Sequence, residues 1–268
     1  MQGSGFKCRT HGIYPAPDVD LQSMITLKSC PNCKSSQVSE YRILSGGDLI
    51  VEITPGVKVN AIIITRYCVC QDCRLIFQNP RLSDAELDIY YGSGNYRSTI
   101  NQPPEGMDKG EENRAKLDAE IIKRVAGEVN SHLDIGCGHG YLLEVMGAKI
   151  KVGTESDLKY VKAKYVKVYA DMDKIPQKKF DLVTAIHVLE HLPYPLDFLK
   201  KMAGFVEKDG HLVIEVPSWR TRGGPLGFAH LHHFETDVLK LMCVQVGLTV
   251  IQTEFTPHLM LICKADNN

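Results

Sequence analysis

Long apolar runs are missing from these 268 residues. The longest purely aliphatic stretch, Ala61-Ile62-Ile63-Ile64, falls far short of the ~20 residues that span a bilayer. A surplus of either charge sign is missing too. Lys and Arg total 31 against 32 for Asp and Glu, a formal net charge of -1, which argues against a chain built to coat nucleic acid or anionic lipid. No apolar stretch follows Lys7 and Arg9, so no signal peptide is read, and a cytoplasmic protein without a membrane partner is expected. Tryptophan occurs once, at Trp219, and no internal repeat or low-complexity tract is visible. What remains is 44% hydrophobic content over a length that suits one large domain, or a medium one with an appendage.

Cysteine, by contrast, is plentiful and unevenly placed. Of nine, Cys8, Cys30, Cys33, Cys68, Cys70 and Cys73 crowd the N-terminal part, while Cys137, Cys243 and Cys263 are scattered. In a reducing compartment, close cysteine pairs more often hold metal than form bridges. Cys30-Pro31-Asn32-Cys33 and Cys70-Gln71-Asp72-Cys73 repeat one spacing, and four thiolates suit a closed tetrahedral zinc site. The gap between the pairs, residues 34–69, exceeds that of a common ribbon. Strand-like runs at Leu49–Ile53 and Val57–Thr65, with turn signals Gly46-Gly47 and Pro55-Gly56, fill it as a small antiparallel unit. Cys8, His11 and Cys68 suggest a third knuckle, but seven candidate ligands do not fill two four-ligand sites. One structural zinc is therefore assigned to Cys30, Cys33, Cys70 and Cys73, with a redox pair or free thiols as the alternatives.

After Pro80 the pattern changes. Ser83-Asp84-Ala85-Glu86 has the form of a capping box and should open a short helix to about Tyr90. Residues 92–110, rich in Gly, Asn, Pro and Ser, look like a linker, and a helix is expected from Glu111 to Ala126. Beyond it, strands alternate with helices: His132–Ile135, Ile150–Thr154, Val166–Tyr169, Phe180–His187, His211–Val216, Leu248–Thr253 and His258–Cys263, with helices at Pro195–Val206 and Glu235–Val246. This implies an α/β fold with a doubly wound, mostly parallel seven-stranded sheet, whose ligand lies at the carboxyl ends of its strands. The domain reading is an irregular segment (1–24), a zinc-ribbon β domain (25–82), a helical linker or lid (83–110) and the α/β domain (111–268).

The strongest motif is Leu133-Asp134-Ile135-Gly136-Cys137-Gly138-His139-Gly140. Glycines after a buried strand permit a sharp turn and a close ligand approach. The spacing is Gly-x-Gly-x-Gly, and Tyr141 stands where a dinucleotide fingerprint needs its third glycine. An acid at the strand end suits a cationic ligand and repels a diphosphate. From about residue 110 to 263 the chain resembles class I S-adenosylmethionine-dependent methyltransferases. The resemblance implies that Asp134 faces the sulfonium and ammonium side, and that Gly136, Gly138 and Gly140 form the loop beside the methionine moiety. It also implies that Glu155 holds the two ribose hydroxyls and that Asp171-Met172 meets the adenine. The stretch from Phe180-Asp181-Leu182-Val183 to His187-Val188-Leu189-Glu190-His191-Leu192-Pro193 would give the fourth strand and the reacting loop, placing His187 beside the cofactor. Gly210–Pro217 resembles the fifth strand. Cys70–Pro80, with Tyr90-Tyr91 and Tyr96-Arg97, is similar to the zinc-binding N-terminal domain of bacterial methyltransferases that act on sugars and other small molecules.

For the base that takes the acceptor's proton, the candidates are His187, His191 and the cluster His230, His232 and His233, of which His187, His191 and His233 are favoured. Residues Ser218–Phe234, rich in Gly, Arg and His, suit an acceptor lid. Neither an Asn/Asp-Pro-Pro-Tyr/Phe motif nor a Pro-Cys nucleophile follows the fourth strand. With the balanced charge, this favours a small-molecule or saccharide acceptor over nucleic acid. The competing readings are an RNA methyltransferase that docks through the ribbon, a non-catalytic cofactor-binding interaction protein and, last, a dehydrogenase. Neither the accepting atom nor the oligomeric state is legible.

Overall fold

The computed structural model describes residues 24–54, 57–92, 104–176, 178–218, 229–255 and 258–265. The readings on Cys8 and His11, on the middle of the linker and on Trp219 lie outside these residues.

The N-terminal unit is built on one long antiparallel hairpin of β1 (Val38–Thr54) and β2 (Val57–Cys70), in register from Val38↔Cys70 to Thr54↔Val57. A three-residue strand, β3 (Ile76–Gln78), adds to β2. Gly46-Gly47 does not turn the chain. It lies inside β1, where the register shifts between Ser45 and Asp48. Glycine has no side chain to pack and tolerates such a bulge.

The capping box forms as expected at the head of α1 (Asp84–Gly92). The Ser83 N–H donates to Glu86 Oε2 at 2.9 Å and the Glu86 N–H donates to Ser83 Oγ at 3.4 Å. Helix α2 (Pro104–Ala126) begins seven residues before the expected Glu111. Gly106 and Gly110 weaken the helical signal over its first turns, whereas a proline at the first position loses no helical hydrogen bond.

The α/β domain follows as β4 (Ser131–Ile135), α3 (Tyr141–Met146), β5 (Ile150–Thr154), β6 (Lys167–Tyr169), β7 (Phe180–Ile186), α4 (Pro195–Ala203), β8 (Val206–Val216), β9 (His232–His233), α5 (Thr236–Gln245), β10 (Leu248–Phe255) and β11 (Leu259–Ala265). Its seven-stranded sheet has the order β10-β11-β8-β7-β4-β5-β6. Strands β6, β5, β4, β7 and β8 are mutually parallel, and β11 enters antiparallel between β8 and β10. Every residue of β4 is buried, as expected of a central strand covered on both faces. Strand order reverses between β4 and β7, and that switch point opens a crevice at the carboxyl ends.

β9 was not expected as a strand. It leaves the α/β domain to pair with β3 (Ile76↔His233, Phe77↔His232), completing the N-terminal sheet as β1-β2-β3-β9. The N-terminal unit and the α/β domain therefore share one hydrogen-bonded sheet.

Candidate functional site

The loop after β4 turns on three glycines, Gly136, Gly138 and Gly140, with φ of +68°, +55° and +83°. Space is as tight as conformation: a Cβ on Gly136 would lie 2.5 Å from Val188 Cγ2, and one on Gly140 would lie 2.5 Å from Ala163 Cβ. His139, within the loop, places Nδ1 2.6 Å from Glu111 Oε2 and stacks on Tyr160 at 3.7 Å, which fastens α2 over the turn. Beside it lies a cavity of about 600 Å³, lined by Gly136, Glu155, Asp171, Met172, His187 and His191 among others. The loops after β4, β5, β6 and β7 converge there.

Asp134 lies one layer beneath the cavity and is only 3% exposed. Its Oδ1 accepts the Thr184 hydroxyl at 2.6 Å, and Thr184 Oγ1 is 2.8 Å from His132 Nε2. Burial pushes the Asp134 carboxyl up to about 7, against the opposing pull of the Thr184 hydrogen bond and the Arg114 charge. Glu155, one residue past β5, accepts the Gly138 N–H on Oε2 at 3.0 Å and the Asp157 N–H on Oε1 at 3.1 Å. Asp171 caps a short 3-10 turn by accepting the Asp173 N–H at 2.8 Å, and Met172 is buried next to it. Of the residues expected at a cofactor, all but Asp134, Gly138 and Gly140 line the cavity directly.

Around His187 and His191, which also line the cavity, stands a cluster of imidazoles and carboxylates. His187 occupies the left-handed region at φ +55°, a conformation costly for a residue with a Cβ and common at functional turns. Its Nε2 is 3.1 Å from Glu215 Oε1 and its Nδ1 3.3 Å from Glu190 Oε1. Burial alone would depress its pKa, but the hydrogen bonds to Glu190 and Glu215 outweigh it and raise it to about 9. His187 is therefore an imidazolium at neutral pH. His191 goes the other way: burial pushes it down to about 4, and its Nδ1 lies 2.8 Å from the Ala229 carbonyl oxygen. The His230 ring is 4.9 Å from that of His191, centroid to centroid.

His233 is placed differently from His187 and His191. It belongs to β9, buried opposite Ile76 of the N-terminal sheet, and is not among the cavity's lining residues. Sequence reasoning also passed over Glu190, Glu215, Asp118, Arg114 and His258. Glu215 and Asp118 are each 1% exposed. Burial and then the Glu215 charge raise Asp118 to about 8, while Arg114 opposes both. One signal was available: Glu215 interrupts the otherwise apolar run Leu212-Val213-Ile214 of a buried strand, a place where a lone acid needs a partner.

The four expected thiols do meet. Cys30 and Cys73 Sγ are 3.6 Å apart, Cys33 and Cys70 Sγ 3.5 Å, and all four lie within 4.8 Å of one another. A tetrahedral zinc with Zn–S bonds of about 2.3 Å would place its sulfurs about 3.8 Å apart, so the donor set fits. The two knuckles also fold alike. The N–H groups of Lys34 and Arg74 donate to the carbonyls of Cys30 and Cys70, each at 3.0 Å, and both residues have positive φ (62° and 64°). Cys68 lies on β2 outside this group, its thiol pushed up by burial.

A family model described as a methyltransferase domain matches residues 110–253, more than half of the chain. The chain belongs to this methyltransferase family. The methyltransferase domain is 37% identical over 112 residues to a tRNA U34 carboxymethyltransferase of Colwellia psychrerythraea, covering 36% of this chain and 34% of that protein. It is 31% identical over 119 residues to a ubiquinone biosynthesis O-methyltransferase of Yersinia enterocolitica, covering 38% and 49% respectively. The chain thus spans a third to a half of the length of these curated relatives. A chain from the complex of the Haloferax volcanii Trm112 methyltransferase activator with a methyltransferase superposes at a TM-score of 0.51 and 15% identity, over 68% of this chain and 98% of that one. That likeness bears on the Rossmann-like methyltransferase fold alone. Among the described residues, no helix is long and apolar enough to cross a membrane.

Proposed function

We propose that this chain transfers a methyl group from S-adenosylmethionine to a sugar, nucleotide-sugar or other small polar acceptor. The observation that carries the reading is one cavity lined by Gly136 of the glycine turn with Glu155 and Asp171, and also by His187 and His191. Glu155 would accept the ribose hydroxyls once these replace the N–H groups it now holds, Asp171 and Met172 would flank the adenine, and the three glycines would admit the methionine chain. Asp134 beneath the turn would favour the cationic end, and Arg114, whose charge reaches Asp134, suits the methionine carboxylate. The cofactor supplies an electrophilic methyl on a sulfonium. The protein's own part is alignment of the acceptor beside His187 and His191, where the protonated His187 would serve as a hydrogen-bond donor and the acceptor's proton would leave to solvent. Cys30, Cys33, Cys70 and Cys73 would hold one structural zinc, with no open coordination position and no part in the chemistry.

Calorimetric titration of the zinc-loaded protein with S-adenosylmethionine, with NAD as control, tests the reading. Saturable binding that Asp134→Ala weakens by at least about tenfold, with no response to NAD, is the expected outcome. Absence of binding by folded protein would sink it. The similarity to the tRNA U34 carboxymethyltransferase of Colwellia raises a tRNA acceptor as the second reading; strongly salt-dependent tRNA binding would favour it over a small molecule.

A further inference from the structure

Behind His187 and His191, which line the cavity, stands a buried carboxylate that does not line it. Glu190 is 1% exposed, and among the described residues its carboxylate has little beyond the His187 imidazole, whose Nδ1 lies 3.3 Å from Oε1. A carboxylate withdrawn from water is costly unless donors or a cation compensate it. Two further imidazoles converge on the same point. His191 Nε2 is 3.8 Å from Glu190 Oε1, and one ligand atom each from Glu190, His191 and His230 falls within 4.8 Å of the others.

We propose that Glu190, His191 and His230 form a divalent metal site, distinct from the four-cysteine site, that engages a hydroxyl-bearing acceptor at the methyl-receiving end of the cavity. This rests on the methyltransferase reading of that cavity. The geometry suits a metal in three respects. Ligand atoms bonded at about 2.1 Å to one ion lie at most about 4.2 Å apart, so the 3.8 Å pair already fits and the third atom needs only a small closure. The ring of His191 is oriented by its other nitrogen, which meets the Ala229 carbonyl at 2.8 Å, the support that ligating histidines usually have. Two imidazoles and one carboxylate leave further coordination positions for the acceptor's oxygen, which would enter past His191, the one of the three that lines the cavity; the donor set suits Mn²⁺, Fe²⁺, Co²⁺ or Zn²⁺. A second grouping, His187, Glu215 and His258, is less suited because His187 already meets a carboxylate at each nitrogen. An ion at Glu190 would draw an acceptor hydroxyl toward the cofactor's methyl and ease the loss of its proton. The methyl carbon would then bond to that oxygen as the carbon–sulfur bond breaks, its electron pair staying on sulfur and the acceptor's proton leaving to solvent.

The test is an electron paramagnetic resonance titration of zinc-loaded protein with Mn²⁺, which does not compete for thiolates. One saturable Mn²⁺ per chain is expected, weakened by about tenfold or more in Glu190→Gln and in His230→Ala, with zinc content unchanged. The half-buried His230, on a loop, keeps the test valid if Glu190→Gln misfolds, as circular dichroism would show. No saturable Mn²⁺ in folded protein, or binding that neither variant alters, overturns the proposal. Parallel S-adenosylmethionine titrations separate the two failures: cofactor binding without Mn²⁺ removes only the metal site, and Mn²⁺ without cofactor binding removes the methyltransferase reading on which it rests.

Discussion

Asp134 has one hydroxyl donor and almost no water, so it titrates near neutrality rather than in the ordinary carboxylate range. A cation bound above it favours the ionised form and so draws its pKa down. Affinity for S-adenosylmethionine should then rise as pH increases toward about 7 and level off above it, by at most about tenfold per pH unit. Titrations between about pH 5.5 and 8.5 measure this, and Asp134→Asn should flatten the slope. A wild-type affinity without pH dependence would show that the carboxyl is already ionised or does not meet the cation. The linkage to stability has the opposite sign. A folded-state pKa above the unfolded one favours folding at low pH, and that contribution is lost as pH rises through about 7.

At the scale of elements, the β3–β9 ladder is the one with the furthest reach. The Gln78 N–H donates to the Leu231 carbonyl at 2.7 Å, and the Leu231 N–H donates to the Glu190 carbonyl at 2.8 Å. Tyr67 on β2 donates its hydroxyl to the His230 carbonyl at 2.7 Å. A loosened knuckle at Cys70 would therefore be felt beside His191. Chelation of the zinc proposed at the four thiols should accelerate amide exchange at 231–233 and at 189–191 while β4 and β7 keep their protection; unchanged exchange at 231–233 in zinc-loaded protein would refute the coupling. This ladder also marks the limit of what the chain reveals by itself. The parallel strands, the capping box at Ser83 and the two Cys-x-x-Cys knuckles are local patterns of period, spacing and composition, and they were legible. A two-residue strand of histidines carries no period. Its partner stands more than 150 residues earlier, so nothing local announces β9. The same holds for the site. Asp134 and the glycines stand together in one strand-and-turn motif, and Glu155 was named through the family resemblance, whereas Asp118, Glu190 and Glu215 come together only through tertiary packing.

For the molecule as a whole, the shared sheet means that the two parts are not separable modules. A chain cut to residues 104–268 would leave β9 without its neighbour and uncover Leu231 and Phe234, now 1% and 2% exposed. Such a fragment should lose soluble yield and show a lower thermal midpoint than the full chain; equal stability of the two would contradict this. The order of synthesis adds a further consequence. β3 is complete at residue 78, but the strand that covers its edge ends at residue 233. At roughly 5–20 residues per second, the ribosome leaves that edge bare for about ten to thirty seconds. During this interval a zinc at the four thiols, as proposed above, would be what keeps the early hairpin in shape, so zinc supply while the chain is being made should then decide how much of it reaches the native state.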